Sequence, residues 1–296
     1  MTNSNPIVQM KGVFKRFGKI QALNNIDLDI NPGQIIGLLG ANGTGKSTLL
    51  RCIIGLYLAD AGSCVTFGAD AAKLGPKELG RIGYVHQEGE LLDWMTVKQL
   101  ICYVSAYYQT WNHELEEKYI DDFKISLKDR VGSLSPGQRQ KVAILLAIGF
   151  EPQLLILDEP ASALDPIARS RFLDLLLGII QNENRTIIIS SHILSDVEKI
   201  IDHALIMQEG QILRDCSFDQ LREEFIRFAL TSLSGQLPSQ LMFGNVIDCQ
   251  RNGNRAIITV QNGSQENLET QAKDLNCSIQ FRPLSLEEIY KIVVSK

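Results

Sequence analysis

Long apolar segments are missing from this 296-residue sequence. No uninterrupted apolar run approaches the roughly 18–20 residues that a helix needs to cross a bilayer. The opening stretch, MTNSNPIVQMKG, also lacks the apolar core of a secretory signal peptide. We therefore expect a protein without membrane helices that works in the cytoplasm.

A basic surface and paired cysteines are also missing. The chain has 34 acidic and 29 basic residues, a net charge of −5, so we expect no nucleic-acid partner. Its cysteines are scattered without a CxxC pair, which argues against a disulfide framework or a zinc site. We expect them to be small buried hydrophobic residues in a reducing compartment. They are Cys52, Cys64, Cys102, Cys216, Cys249 and Cys277.

What the sequence does have is an alternation of apolar strands and helices. The segments QIIGLLG, QLLILDEP and RTIIISSH are continuously apolar, which indicates strands buried on both faces. Predicted helices at 47–56, 96–125, from 135 and from 166 separate them. This order predicts an α/β fold with a mostly parallel sheet and flanking helices. Residues 6–30 instead alternate, as half-exposed strands do.

The pattern changes after about residue 222. NVIDCQRNGNRAIITV contains two alternating runs around Asn-Gly-Asn, which predicts a β-hairpin. A helix at 265–275, the strand CSIQFR and a final helix, SLEEIYKIVV, are predicted to follow. We therefore predict a main domain over residues 1–221 and a small α+β accessory domain over 222–296.

The segment GANGTGKST follows a buried strand and precedes a helix. It matches G-x-x-x-x-G-K-[ST], in which glycines let backbone N–H groups surround a phosphate and the lysine bridges the outer phosphates. The serine hydroxyl of this motif binds Mg²⁺. A plain glycine turn is the alternative, and the strand–loop–helix context argues against it. The residues assigned to nucleotide binding are Gly40, Ala41, Asn42, Gly43, Thr44, Gly45, Lys46, Ser47 and Thr48.

Two adjacent carboxylates, Asp158 and Glu159, end the predicted strand in LLILDEP. Ligands bind at the carboxyl ends of parallel strands. One carboxylate can hold Mg²⁺ while its neighbour orients and deprotonates an attacking water. On their own, two such acids are as easily explained as solvated surface; the phosphate motif favours the catalytic interpretation.

Single residues at other strand ends complete the candidate site. Gln87 and His192 end predicted strands of the same sheet, so we expect them at the same edge. There, glutamine can reach Mg²⁺ or water and histidine can contact the outermost phosphate. Surface loop positions are the alternative for both. Phe17 is a strand core residue by default, or an exposed aromatic that stacks on a purine ring.

LSPGQ precedes an apolar stretch of helical periodicity. Ser135 suits the N-cap and Pro136 the first helical position, where the missing N–H costs nothing. Gly137 leaves bare backbone on the first turn. A helix N-terminus of this kind is a predicted anion site.

In this order, GANGTGKST, Gln87, LSPGQ, LILDEP, SALD and His192 resemble the nucleotide-binding subunit of an ATP-binding cassette (ABC) transporter. The resemblance covers residues 6–220. It implies a P-loop NTPase core with an antiparallel β subdomain, and a helical subdomain at about 90–150 that touches a membrane partner. It implies ATP and Mg²⁺ as ligands.

The resemblance also implies roles for individual residues. Phe17 stacks on adenine; Glu159 is the general base and His192 the switch histidine. The metal ligands are Ser47, Gln87 and Asp158, and the catalytic residues are Glu159, His192, Gln87 and Lys46. Ser135, Gly137 and Gln138 contact ATP held by a second subunit, and Ser162–Asp165 cross the dimer interface.

Two positions depart from the family pattern: Pro136 stands where a second glycine is common, and Ala161 where threonine is frequent. We expect neither to abolish function. The implied partners are a second ATPase subunit, identical or a close paralogue, and a separate transmembrane permease on whose cytoplasmic face the chain sits. The ending RPLSLEEIYKIVV resembles exporter-type cassettes. A soluble ABC ATPase that remodels a macromolecular complex, and a regulatory subunit that binds ATP without turnover, remain the alternatives.

Overall fold

A computed structural model describes residues 5–87, 90–181, 185–238, 241 and 243–295. The chain divides into two compact units, Met1–Asp215 and Cys216–Lys296. Within the described part of the chain, no helix has both the length and the apolar character needed to span a membrane.

The described strands follow one another along the chain as β1 (Val8–Phe17), β2 (Ile20–Ile30), β3 (Ile35–Leu39), β4 (Ala61–Thr66), β5 (Ala69–Asp70), β6 (Ile82–Val85), β7 (Leu154–Asp158), β8 (Thr186–Ser191), β9 (His203–Gln208), β10 (Gln211–Ser217), β11 (Phe225–Ser232), β12 (Asn245–Asn252), β13 (Arg255–Gln261) and β14 (Cys277–Arg282). The described helices are α1 (Lys46–Ile53), α2 (Pro76–Leu79), α3 (Val97–Ser105), α4 (His113–Phe123), α5 (Pro136–Ile148), α6 (Pro166–Gln181), α7 (Leu194–Val197), α8 (Phe218–Glu224), α9 (Gln265–Asp274) and α10 (Leu286–Val294).

The centre of the first unit is a sheet in the order β10-β9-β3-β8-β7-β6. Strand β3 pairs in parallel with β8 and β9, and β7 pairs in parallel with β8 and β6. Every residue of β3, β7 and β8 is buried, as their continuous apolar runs predict. Because these strands are parallel, β3, β6, β7 and β8 all end at one edge of the sheet.

A second sheet of this unit has the order β2-β1-β4-β5 and is antiparallel. Its strands alternate buried and exposed residues towards the end of β2, which agrees with the predicted half-exposed strands. Leu23 and Ile26 of β2 share one apolar core with Leu38 of β3 and Leu49 of α1. This shared core fixes the antiparallel sheet against the phosphate-loop helix.

Helices α3, α4 and α5 fall within the predicted helical range of about 90–150. Thr96 and Gln99 form a capping box that starts α3, and Asn112 caps α4. Tyr119 of α4 is fully buried and stacks on Phe123 with ring centroids 4.3 Å apart. Burial raises the pKa of Tyr119 well above its ordinary value.

The C-terminal unit contains an antiparallel sheet in the order β12-β13-β11-β14. Leu268 and Ala272 of α9 pack with Phe228 and Ile258 in its core. The predicted hairpin, helices and strand all occur here. The sequence analysis placed no element over residues 203–232, where β9, β10, α8 and β11 lie. The predicted domain boundary at residues 221 and 222 falls inside α8, and it stays a prediction.

The cysteine interpretation was wrong in part. Cys52, Cys64 and Cys277 are buried, and burial raises the pKa of Cys52 to about 11 and that of Cys64 to about 12. Cys102 and Cys249 are exposed. Cys102 lies on the outer side of α3, and Cys249 lies on the edge strand β12, which leaves most of its residues open to solvent.

Candidate functional site

The candidate site lies where strands β3, β6, β7 and β8 end, at one edge of the central sheet. The phosphate motif follows β3, Gln87 lies just beyond β6, Asp158 ends β7 and His192 follows β8. Several of these residues line a cavity of about 340 Å³. Its lining residues are Ile20, Ala22, Asn42, Gly43, Gly45, Lys46, Ser47, Thr48, Gln87 and Glu159.

The glycines of the phosphate motif are required by backbone shape and by space. Gly43 and Gly45 have φ angles of 82° and 104°, in the left-handed region that disfavours other residues. A Cβ at Gly40 would lie 2.6 Å from Thr44 Oγ1, and one at Gly45 would lie 2.4 Å from the Ala22 carbonyl oxygen. These glycines therefore allow the loop to adopt this conformation, in which no side chain covers the backbone at these positions.

A chain of backbone hydrogen bonds supports this loop from behind. Gly210 N–H donates to the Thr44 carbonyl at 3.0 Å, and Asn24 N–H donates to the Gly210 carbonyl at 2.8 Å. A Cβ at Gly210 would lie 2.8 Å from the Ala22 carbonyl oxygen. Gly45 of the phosphate loop and Gly210 of the β9–β10 turn thus both pack against the Ala22 carbonyl oxygen of β2.

Lys46 begins α1, and its ammonium group is buried beside the loop. Its Nζ donates to the carbonyl oxygens of Gly40 at 2.7 Å and Ala41 at 3.1 Å. The same Nζ lies 3.5 Å from Glu159 Oε1. The lysine charge is thus held at the cavity between the phosphate loop and a carboxylate.

Asp158 and Glu159 are both buried, and a single hydroxyl joins them. Ser190 Oγ donates to Asp158 Oδ1 at 2.8 Å and accepts the Glu159 N–H at 2.8 Å. Glu159 has φ of 51°, a left-handed conformation that is uncommon for a residue with a side chain. Such strain is concentrated at functional sites, where it fixes the direction of a side chain.

His192 approaches Glu159 from the end of β8. Its Nδ1 lies 2.7 Å from Glu159 Oε2, and its backbone N–H donates to the same oxygen at 3.3 Å. The imidazole side chain is 44% exposed, whereas the Glu159 side chain is 5% exposed. One carboxylate therefore contacts Lys46 through one oxygen and His192 through the other.

The donor set fits a nucleotide with Mg²⁺. Within the described residues, Asp158 Oδ2 is a buried oxygen without a hydrogen-bond donor, and Glu159 Oε1 has the Lys46 ammonium 3.5 Å away but no hydrogen bond. Buried carboxylate oxygens normally have a partner, and a hard cation or its bound water supplies one. The Ser47 hydroxyl and the Gln87 amide line the same cavity. These oxygen atoms are the kind that Mg²⁺ prefers.

Phe17 lies apart from the cavity lining. It ends β1, is 42% exposed, and pairs across the strands with Ile20, which does line the cavity. Its ring meets Tyr57 edge-on with centroids 5.2 Å apart. The default interpretation of Phe17 as a core residue is therefore wrong, and its stacking role stays a prediction.

The α5 N-terminus has the predicted cap. Ser135 Oγ accepts the Gln138 N–H at 3.3 Å, Gln138 Oε1 accepts the Ser135 N–H at 2.8 Å, and Pro136 holds the first helical position. A Cβ at Gly137 would lie 2.8 Å from the Ala163 carbonyl oxygen, so glycine is also needed for close packing. None of these residues is among those that line the cavity around Lys46, within the residues described.

The segment from Ser162 to Asp165 is built by local hydrogen bonds. Ser162 Oγ donates to the Glu159 carbonyl at 2.8 Å. Asp165 Oδ1 accepts the N–H groups of Ala168 and Ile167 at the start of α6. The bond from Ala168 lowers the pKa of Asp165 below its ordinary value. The segment therefore connects the Glu159 backbone to the next helix.

Sequence reasoning missed Ser190, Ile20 and Ala22. Ser190 has the clearest signal, because two serines directly before His192 interrupt an otherwise apolar strand. A buried hydroxyl at a strand end beside two carboxylates needs a partner, and the structure supplies one. Ile20 and Ala22 belong to a strand that is remote in sequence from the phosphate motif, so spacing gave no indication of them.

Comparison with known proteins identifies the family. The family model described as ABC transporter matches residues 23–162. Over 226 residues, the chain is 31% identical to an uncharacterized ABC transporter ATP-binding protein, YdbJ, of Bacillus subtilis, covering 75% of this chain and 73% of that protein. It is 30% identical over 232 residues to the bacitracin transport ATP-binding protein BcrA of Bacillus licheniformis, covering 78% and 76%. It is 33% identical over 255 residues to the methionine import ATP-binding protein MetN of Rhizobium etli, covering 80% and 69%.

A solved structure titled as the ATP-binding subunit of an ABC transporter superposes with a TM-score of 0.67 at 25% identity, covering 73% of this chain and 92% of that chain. The chain belongs to the ABC transporter family of ATP-binding proteins. It is an ATPase that binds ATP with Mg²⁺ on a P-loop NTPase fold, as the sequence analysis expected.

Proposed function

We propose that this chain hydrolyses ATP with Glu159 as the general base and energises export through a separate membrane permease. The observation that supports the first part best is the double contact of Glu159, with Lys46 through one oxygen and with His192 through the other. A general base must lie within hydrogen-bond reach of the water it deprotonates, at a fixed angle. Two charged or polar partners and a strained backbone give Glu159 that fixed direction.

The other residues have complementary roles in this proposal. Lys46 stabilises charge on the outer phosphates, and His192 orients Glu159 and contacts the outermost phosphate. Ser47, Gln87 and Asp158 would hold Mg²⁺, which neutralises phosphate charge when bound. Ser190 positions Asp158 and Glu159 relative to each other through its two hydrogen bonds.

The proposal includes a second copy of the chain or a close paralogue. Pro136 has no N–H and the Gln138 N–H is bonded to Ser135 Oγ, so the α5 N-terminus offers an anion the Gly137 N–H and the positive end of the helix dipole. Ser135, Gly137 and Gln138 nevertheless lie outside the lining of the chain's own cavity. The simplest use of such a terminus is to bind the outermost phosphate of ATP held by another subunit. Ser162–Asp165, which contacts Gly137 through Ala163, would lie at the same interface.

The permease would dock beside Gln87. An apolar pocket of about 210 Å³ is lined there by residues of β6, α3 and α5, among them Tyr84, Val104 and Leu146, and by Phe150 just beyond α5. Next to it in the chain, Trp94 and Tyr107 are 68% and 71% exposed. Exposed aromatic residues around an apolar pocket are typical of a protein–protein interface. The chain would then sit on the cytoplasmic face of the membrane.

Export is the direction we propose, because the segment RPLSLEEIYKIVV resembles exporter-type cassettes. One relative is named for bacitracin transport and another for methionine import, so relatedness alone leaves both directions available. Cargo contacts would belong to the permease.

Co-purification from the native cell tests the permease. The tagged chain is extracted from membranes in mild detergent, and a polytopic membrane protein should co-purify. A Trp94→Ala/Tyr107→Ala variant should lose it, whereas the control Lys118→Ala, on the exposed side of α4, should keep it. Recovery of a soluble macromolecular complex without any membrane protein would favour the remodelling ATPase instead.

Deletion of the gene tests the direction. Loss of an exporter should increase sensitivity to at least one compound of an antibiotic panel that includes bacitracin, which the name of one relative gives as its cargo. The wild-type chain should restore resistance, whereas Glu159→Gln should not. A growth defect that a supplied nutrient corrects, with unchanged antibiotic sensitivity, would contradict export.

A further inference from the structure

We infer that Arg51 is a positioning residue. It hydrogen-bonds to His86, the residue before Gln87, and so holds Gln87 at the magnesium end of the site. This inference rests on the proposed function, because it takes Gln87 and Ser47 to be the residues that meet Mg²⁺. It adds a residue that the phosphate motif does not contain.

Arg51 and Ser47 share one face of α1. Arg51 follows Ser47 by four positions, and residues spaced i and i+4 lie one above the other on a helix. Ser47 lines the nucleotide cavity, so Arg51 extends from the same side one turn further along the helix. The guanidinium is half-buried, which leaves it partly shielded from water.

Two contacts of the guanidinium make this connection. Arg51 Nη2 lies 2.6 Å from His86 Nε2, and Arg51 Nη1 donates to the Tyr57 hydroxyl at 2.8 Å. Arginine is only a donor, so His86 Nε2 is the acceptor in this contact. The planar Arg51 guanidinium donates both hydrogen bonds in fixed directions, which the single ammonium group of a lysine could not do.

The contact matters because His86 precedes Gln87 directly, beyond the last residue of β6. Gln87 itself lines the nucleotide cavity. Holding the His86 ring to α1 therefore fixes the backbone from which the Gln87 side chain extends. The helix that presents Ser47 and the segment that presents Gln87 are thereby joined by one guanidinium.

Tyr57 extends the connection towards Phe17. The Arg51 guanidinium carbon lies 5.3 Å from the Tyr57 ring centroid, and the Tyr57 ring contacts Phe17 at 5.2 Å between centroids. Arg51 is thus held on one side by the ring next to the proposed base-stacking residue, and on the other side by the residue before Gln87. Its position is determined from both sides.

The test is a double-mutant cycle on the full-length chain. Arg51→Met and His86→Phe each remove one side of the contact with little change in volume, and His86→Gln keeps an acceptor. Binding of a non-hydrolysable ATP analogue is measured with Mg²⁺ and again with EDTA. Hydrogen exchange at residues 82–87 is measured in the nucleotide-free protein. Arg171→Met is the matched control, because Arg171 donates to the Asp122 carbonyl on an exposed surface.

We expect Arg51→Met and His86→Phe each to weaken binding about tenfold with Mg²⁺ and to leave binding in EDTA unchanged, whereas His86→Gln and Arg171→Met should bind as the wild type does. The double variant should be no worse than either single one, as contacting residues are non-additive. Exchange at residues 82–87 should rise in Arg51→Met and His86→Phe but not in His86→Gln or Arg171→Met. Unchanged exchange, or additive losses in the cycle, would overturn the inference.

Gln87→Ala separates this inference from the proposed function. If Gln87→Ala leaves Mg²⁺-dependent binding intact, the magnesium role of Gln87 is wrong, and the inference falls with it. If Gln87→Ala weakens that binding but Arg51→Met does not, the magnesium role stands and the positioning role of Arg51 is wrong.

Discussion

Glu159 Oε2 and His192 Nδ1 lie 2.7 Å apart, and the backbone N–H of His192 donates to the same oxygen. The carboxylate is thus oriented by both the ring and the main chain of one residue. Glu159→Gln keeps the side-chain shape but removes the base. We expect ATP binding to persist while turnover falls on the order of 10²–10⁴-fold.

A steady-state ATPase assay with a parallel nucleotide-binding measurement checks this. The control is Glu114→Gln, an exposed residue in the first turn of α4. Turnover within a factor of two of wild type would show that Glu159 is not the base.

Lys46→Ala should act on binding. Its Nζ is the charge that the phosphate motif places at the cavity, between the Gly40 carbonyl and Glu159. We expect a clear loss of ATP affinity by calorimetry, in a protein that remains folded by circular dichroism. Lys118→Ala is the surface control. Wild-type affinity in Lys46→Ala would contradict the phosphate-binding role.

Ser190→Ala tests the residue that the sequence analysis missed. It removes the hydroxyl that links Asp158 to the Glu159 backbone, leaving a buried carboxylate oxygen and a buried N–H without that partner. We expect unfolding free energy to fall by about 1–3 kcal/mol in urea denaturation. Turnover should fall as well, with ATP affinity less affected. Ser105→Ala is the control, because the Ser105 hydroxyl bonds locally at the end of α3. It should leave both the unfolding free energy and turnover unchanged.

Ser135→Arg should block hydrolysis without blocking ATP binding. An arginine at the N-cap removes the hydroxyl that caps α5 and fills the space beside it, while the chain's own phosphate loop is untouched. Mixing this variant with Lys46→Ala subunits gives dimers in which one composite site is intact. Partial activity should return if one site turns over alone.

Light scattering with ATP accompanies the mixing experiment. Glu159→Gln should accumulate as a dimer, and Ser135→Arg should not. Equal dimerisation and equal hydrolysis by wild type and Ser135→Arg would mean that α5 is a core helix with a good cap and nothing more.

Truncation tests the two-domain organisation. A fragment that ends at Arg222 should remain soluble and bind ATP, because the phosphate motif and both carboxylates lie in the first unit. That fragment ends within α8 and exposes the normally buried Phe218 and Leu221. A fragment ending at Asp215 avoids this. Loss of ATP binding by both fragments, in soluble folded form, would contradict an accessory role for the C-terminal domain.

Much of the site was predictable because its residues follow strand ends. Strand periodicity placed Asp158, Gln87 and His192 at one edge of a parallel sheet, and the cap at Ser135 followed from residue type alone. The family resemblance added roles that spacing could not give. The fold class followed from the same alternation of strands and helices.

The rest depended on contacts between distant segments. The Ala22 carbonyl in β2 packs against Gly45 in the phosphate loop, a contact between separate segments that no periodic pattern in the sequence indicates. Ser190 is identifiable only once Asp158 and Glu159 are known to lie beside it. Strands β10 and β11 were missed because mixed polar and apolar residues, as in QILRDCS, obscure their period. Strand β9 has four consecutive apolar residues, a signal that the sequence analysis overlooked.

The packing of Gly45 and Gly210 against the Ala22 carbonyl oxygen limits which residues these two positions can accept in evolution. Side chains are excluded at both glycines by the same oxygen, and both positions have positive φ. A side chain at either position requires a shift of the backbone, because the obstructing atom belongs to the main chain and not to a flexible side chain. The path of β2 therefore restricts which residues the phosphate loop and the β9–β10 turn accept at these two positions.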